Sequence, residues 1–176
     1  MATKELILGG GCFWCTEAVF ELLKGVSDVE SGYANGDMPD PDYRSVCSGD
    51  TGYAEVIKIT YDDEVIDLDT LLDVFFSTHN PTQLNRQGAD VGTQYRSCVC
   101  YQNEEELEAA KRAIERAQEH YSDPIVTTLE PLKNYYPAES YHQDYYRQNS
   151  MQGYCMAVIP PKIQKLMENF SDKVSS

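Results

Sequence analysis

A short apolar run that ends in three glycines constrains this chain more than any other stretch. Leu6-Ile7-Leu8, within residues 4–8, reads as a buried strand, and Gly9-Gly10-Gly11 follows directly. Phe13, Val19, Phe20, Leu22 and Leu23 then recur with helical spacing until Gly25 stops the pattern. Consecutive glycines let a backbone turn within a few residues, so strand, turn and helix follow one another closely. The arrangement delivers Cys12 to a helix N-terminus. Unpaired N–H groups and the macrodipole there favour a thiolate, the nucleophilic form of the side chain. A cysteine that only fills space is the bland alternative, and it does not need three glycines in front of it. Phe13 and Trp14 read either as core or as a small apolar cradle beside the sulfur.

The rest of the chain alternates between the two periodicities. Residues 26–33 read as a strand, and residues 34–52 as a long loop rich in Gly, Pro, Asp and Ser. Residues 53–61 (YAEVIKITY) alternate with period two. Residues 67–78 form a helix with Asp67 or Asp69 as its cap, and a polar loop covers residues 79–93. A strand over 95–101, a helix over 104–121 and a short strand over 125–129 follow, then an aromatic, irregular stretch with a short helix over 162–170. The order to Tyr101 is β-α-β-β-α-β, a ferredoxin-like split βαβ unit. The expected fold class is α+β: a two-layer sandwich with a long irregular C-terminal extension, forming one domain over residues 1–176.

Composition narrows the partners. The net charge of −15 argues against binding a phosphate backbone, which needs clustered Lys and Arg, so no nucleic acid is expected. No segment is long and apolar enough to cross a bilayer, and the N-terminal apolar stretch is too short for a signal-peptide core. A cytoplasmic, reducing setting without membrane contact is the default. In that setting six cysteines point to catalysis or metal binding rather than a disulfide framework. Cys98 and Cys100 alternate onto one strand face and read as packing, while Cys47 is a weak redox candidate.

Several further segments carry the resemblance that unites these features: Gly11-Cys12-Phe13-Trp14, Asp42-Tyr43-Arg44-Ser45-Val46-Cys47 and Gly52-Tyr53-Ala54-Glu55-Val56. With them go His79-Asn80-Pro81-Thr82, Asn85-Arg86-Gln87-Gly88, Asp90 through Ser97, and Tyr141-His142-Gln143-Asp144-Tyr145. In this order, across nearly the whole chain, they resemble the A-type peptide methionine sulfoxide reductase family. The resemblance implies an α+β sandwich that reduces the S epimer of methionine sulfoxide, free or in peptides and proteins, with thioredoxin as external reductant. No cofactor or metal is implied, and a monomer is expected.

By motif, the resemblance makes Cys12 the nucleophile and Phe13 and Trp14 the pocket for the methyl group. Tyr43, Glu55 and Tyr95 become the groups that hold the sulfoxide oxygen, with Asp90 as a supporting polar residue. The chemistry suits them, because sulfoxide oxygen leaves poorly until protonated and a buried carboxylic acid can supply the proton. Read without the resemblance, Glu55 is simply an outward-facing strand residue. Tyr53 stands where the family often has His. His142 either lines the site or is an interior histidine.

Attack by Cys12 leaves a sulfenic acid that a second thiol must condense with. The resemblance makes Cys155 the resolving cysteine. Cys15 is the local competitor, disfavoured because a helix beginning at Cys12 would have to distort to bridge the two. A relay through both remains open. Two other readings stay open as well: a thiol–disulfide oxidoreductase built on Cys12-Phe13-Trp14-Cys15, and a metal module using Cys12, Cys15 and a remote His or Cys.

Overall fold

The computed structural model describes residues 3–37, 41–47, 51–87, 90–143, 145–149 and 153–174. The elements are β1 (Thr3–Gly9), α1 (Phe13–Phe20), β2 (Val26–Ala34), α2 (Tyr43–Cys47), β3 (Ala54–Asp62) and α3 (Leu68–Thr78). There follow β4 (Arg86–Gln87), β5 (Asp90–Val91), β6 (Cys98–Tyr101), α4 (Glu104–Gln118), β7 (Thr128–Pro131), β8 (Tyr135–Pro137), α5 (Tyr145–Gln148) and α6 (Gly153–Phe170). One sheet runs β7-β6-β1-β3-β2-β8, and β4 and β5 form a small separate hairpin. β6 and β7 pair in parallel, and the remaining described pairs are antiparallel. Because β1 and β2 both pair antiparallel with β3, they run the same way, and α1 is the crossover between them. The fold is therefore a mixed sheet with helices packed against it.

Alternation sorts the strand side chains. Leu6, Leu8, Ile57, Ile59 and Val99 join α1, α3, α4 and α6 in the main core, whereas Ile7, Val56, Cys98 and Cys100 lie in a second cluster with Leu132 and Tyr135. Cys98 and Cys100 are completely buried there, as the packing reading expected. Helix starts follow local chemistry. The Asp67 carboxylate, rather than Asp69, caps α3 by accepting the Thr70 N–H at 2.8 Å. Asn103 caps α4 through the Glu106 N–H at 2.9 Å, and Glu106 accepts the Gln102 N–H at 2.8 Å in return.

Three expectations need correcting. The 34–52 loop contains the short helix α2, because Asp42 and Ser45 bond to each other's backbone N–H at 2.8 and 3.1 Å and Val46 is buried. The sheet gains β8 at its edge beside β2, a strand the aromatic stretch concealed. Most consequential, the last helix begins at Gly153 instead of residue 162 and carries Pro160 and Pro161 inside it. A proline withholds the N–H that the carbonyl four residues earlier would accept. Those carbonyls belong to Met156 and Ala157, both solvent-exposed, so water can replace the lost partner. Ile159 and Leu166, fully buried, then hold α6 against α1 and α3.

Candidate active site

The site lies where β1 leaves the sheet. A Cβ on Gly9 would stand 2.8 Å from the Cys98 sulfur, and one on Gly10 would stand 3.0 Å from the Phe75 ring. Gly11 has φ +89°, and a Cβ there would meet the Gln87 side chain at 2.8 Å. The turn thus admits only glycine without rearrangement, and it delivers Cys12 as the N-cap of α1 in extended conformation (φ −63°, ψ 130°). Close behind it His79 is clamped at the end of α3. Its Nδ1 donates to the Phe75 carbonyl, so Nε2 accepts the Ser97 hydroxyl at 2.7 Å, and Ser97 accepts from Thr127 at 2.7 Å. Burial pushes this histidine down to about 3, which keeps it neutral.

Glu55 projects from β3 onto the helix face of the sheet, with Tyr53 and Ile57, instead of outward to solvent. Its Oε1 accepts the Phe13 N–H at 3.1 Å, so the carboxylate caps α1. Its Oε2 has no hydrogen-bond partner at normal distance among the described residues. Burial lifts the carboxyl to about 8; the Phe13 N–H opposes that rise, while Asp90 and Cys15 add to it.

The helix N-terminus does not make Cys12 a resting thiolate, contrary to expectation. Burial first, then the Cys15 and Glu55 side chains, push its thiol well up, and only the Trp14 N–H works the other way. Cys12 and Cys15 are both buried, and the Cys15 side chain is near enough to act on the Cys12 thiol. Cys12 lies outside the helix as its N-cap and Cys15 on its first turn, where the Cys15 N–H donates to the Cys12 carbonyl at 3.0 Å.

An aromatic cluster completes the site. Phe13 is fully buried, its ring 5.7 Å from Tyr33, 6.2 Å from Tyr43 and 5.3 Å from His142. Trp14 stacks on Tyr145 at 3.8 Å, and its Nε1 donates to His142 Nδ1 at 3.0 Å. With Nδ1 accepting, the neutral His142 carries its proton on Nε2, a buried atom with no hydrogen-bond partner among the described residues. Tyr43, the first residue of α2, packs its ring 4.3 Å from His142. Glu139 organises this wall: it accepts the Tyr33 hydroxyl at 2.7 Å, the Tyr43 N–H at 3.0 Å and the Tyr141 hydroxyl at 3.1 Å.

Asp90 opens β5 on the small hairpin, near enough for its charge to raise Glu55, and Tyr95 ends the turn Thr93–Tyr95 and packs against the main core. Tyr53 is buried edge-on to Tyr136 with ring centroids 6.0 Å apart. Cys12, Cys15, Phe13, Trp14, Tyr43 and Glu55 thus converge. The backbone of Cys155 lies near the start of α6, but its side chain, like that of Cys47, lies outside the described residues. Sequence reasoning left His142 undecided, carried Tyr145 only within the Tyr141–Tyr145 motif without a role, and missed Glu139 and Lys162. Lys162 on α6 donates to the Thr78 carbonyl at 3.2 Å. Burial pushes its ammonium down, with Lys165 adding to that and Asp90 opposing it.

The arrangement joins a buried thiol to a carboxylic acid that is protonated near neutral pH, beside an aromatic wall. It can deliver a sulfur nucleophile and a proton to a small polar group carried by an apolar one. Comparison with known proteins agrees. The family model described as peptide methionine sulfoxide reductase matches residues 4–174. The chain is 56% identical to Peptide methionine sulfoxide reductase MsrA of Erwinia tasmaniensis over 172 residues, 97% of each chain. Among solved structures, reduced Mxr1 of Saccharomyces cerevisiae superimposes with a TM-score of 0.83 at 40% identity, covering 90% of each chain. Mxr1 in complex with Trx2 matches with a TM-score of 0.59 at 28% identity, over 81% of this chain and 84% of that one.

Proposed function

The chain belongs to the peptide methionine sulfoxide reductase family, and from that premise we propose that it reduces the S epimer of methionine sulfoxide, free or in peptides and proteins. The observation that carries the chemistry is the Cys12 thiol beside a Glu55 carboxyl lifted to about 8. At neutral pH that acid is mostly loaded. The Cys12 sulfur attacks the sulfoxide sulfur while Glu55 gives its proton to the sulfoxide oxygen, and the thiol proton replaces it on Glu55. The hydroxyl so formed passes to the Cys12 sulfur as the substrate's sulfur–oxygen bond and the transient sulfur–sulfur bond both break, the sulfur–sulfur electron pair leaves with methionine, and Cys12 holds the oxygen as a sulfenic acid. Phe13 and Trp14 receive the methyl group, and Tyr43 and Tyr95 hold the oxygen with Glu55. Asp90 supports the site by disfavouring a second negative charge on Glu55.

A second thiol then condenses with the sulfenic acid, forming a disulfide and releasing water. The contact between Cys12 and Cys15 supports a relay: Cys15 closes first, and Cys155 opens that disulfide by exchange. Thioredoxin, acting as external dithiol, restores the enzyme, in keeping with the solved complex of Mxr1 with Trx2. No resident cofactor takes part.

We further read residues 1–176 as one catalytic domain, monomeric and cytoplasmic. The family match over residues 4–174 supports the first point. Among the described residues no helix is long and apolar enough to cross a membrane. The strand order β6-β1-β3-β2, with its α1 crossover, supports a ferredoxin-like core for the fold.

The test is thioredoxin-coupled turnover with each separated epimer of methionine sulfoxide. The S epimer should be consumed and the R epimer left. Equal consumption of both, or insulin reduction by the enzyme without any sulfoxide, would sink the reading.

A further inference from the structure

Arg96 sits behind the site, where the sheet ladder runs out. β1 pairs with β3 from Thr3↔Asp62 to Leu8↔Ile57 and then departs into the glycine turn. Beyond that point, among the described residues, β3 keeps only β2 as a strand partner, through Gly32↔Val56, Tyr33↔Glu55 and Ala34↔Ala54. Glu55 lies in this half-paired stretch. A strand end held on one side has slack that an acid working at a fixed distance cannot tolerate.

Arg96 supplies bonds at that place. Its Nη1 donates to the Gly52 carbonyl, on the chain entering β3, and to the Thr93 carbonyl, which opens the turn ending at Tyr95, each at 3.0 Å. Nε and Nη2 donate to the Glu130 carboxylate at 2.9 and 3.1 Å as a fork. Glu130 also accepts the Thr128 hydroxyl and the Asn35 amide at 3.1 Å, which ties in the end of β2. Half-buried though it is, Glu130 is held down to about 2 by Arg96 and these partners, so the pair stays ionised.

We propose that Arg96, anchored by Glu130, is a positioning residue that sets the Glu55 end of β3 against the Tyr95 turn and so fixes where the sulfoxide oxygen is held. Four directed bonds from one rigid plane are needed, which a guanidinium provides and an ammonium does not. The proposal rests on the reading of Glu55 as the acid. The groups facing Glu55 are Cys12, Cys15 and the Phe13 N–H from α1, Asp90 from β5, and Tyr33 from β2.

The experiment compares Arg96→Lys, Glu55→Gln and the double variant by single-turnover methionine formation, and titrates the isotopically labelled Glu55 carboxyl by NMR. In Arg96→Lys the rate should fall about tenfold with substrate KM little changed, and water reaching the slack strand should raise the Glu55 acid dissociation constant about tenfold. In the Glu55→Gln background the same change should cost less than about threefold. An unshifted Glu55 titration in Arg96→Lys, or equal losses in both backgrounds, overturns the proposal. A shifted titration with an unchanged rate keeps the positioning role and removes Glu55 as the acid. If Arg96→Lys does not fold, Glu130→Gln weakens the same fork and should move both readouts in the same direction.

Discussion

At the scale of single residues, the site works by withholding charge. Cys12 is buried against Cys15 and Glu55, so its thiol stays protonated until a sulfoxide arrives, and Glu55 near 8 keeps the proton the oxygen needs. Cys12→Ser should fold normally yet form no methionine from the S sulfoxide, since a hydroxyl is a far weaker nucleophile at neutral pH. Even one equivalent of methionine per enzyme would remove Cys12 from the mechanism. Glu55→Gln keeps the acceptor for the Phe13 N–H but cannot give a proton, so single turnover should slow on the order of a hundredfold. The wild-type rate should decline as pH rises through about 8, the point at which Glu55 loses its proton, whereas the Gln variant should lack that limb. Matching pH profiles for the two proteins would contradict the assignment. The motifs around residues 12 and 55 make both residues legible in the sequence. That Glu55 faces inward is legible only through the resemblance, because alternation names two strand faces without saying which is covered.

At the scale of elements, the glycine turn and α6 show opposite limits of local reading. The three glycines announce a turn, and the structure supplies the reason for each: the Cys98 sulfur, the Phe75 ring and the Gln87 side chain occupy the space a Cβ would need. Gly11→Ala combines that clash with a left-handed φ of +89° and should lose about 1–3 kcal/mol of stability by denaturant unfolding. Gly153→Ala is the control: nothing lies within 4 Å of its Cβ position, so stability should hold or rise slightly. A Gly11→Ala protein as stable as the parent would show that the turn relaxes freely. In α6 the local reading stopped short: the expected helix began at residue 162, whereas the observed one begins at Gly153 and carries Pro160 and Pro161 inside it. Their cost depends on whether the orphaned carbonyls reach water, and that is a property of the packed surface.

At the scale of the whole molecule, the titrations of two buried groups and one half-buried group shape the pH dependence of stability. Glu130, about 2 when folded against 4.5 as a free carboxyl, contributes stability that is complete above 4.5 and is lost as pH falls towards 2. His79, about 3 when folded against 6.5, must stay neutral, so its share is complete above 6.5 and declines below it. Glu55, about 8 when folded against 4.5, acts in the other direction: it has no penalty below 4.5, and stability declines as pH rises towards 8. Between about 4.5 and 6.5 the His79 and Glu55 slopes cancel. Denaturant unfolding across pH should therefore show a plateau there with losses on both sides, and Glu55→Gln should flatten the alkaline side. A wild-type stability that climbs steadily from pH 6.5 to 8 would contradict it. The sequence alone determined the main strands and helices as far as α4, α2 excepted, and where the thiol-bearing turn lies, because periodicity and turn chemistry are written in neighbouring residues. It also placed Cys12 at a helix start, but not the protonation state of the thiol there. Only the tertiary structure decided that, along with the wall of Phe13, Tyr43 and His142 tied by Glu139 and the clamp from Arg96 to Gly52. Each depends on desolvation or bonding between segments far apart in the chain, and those contacts exist only once the sheet has brought the segments together.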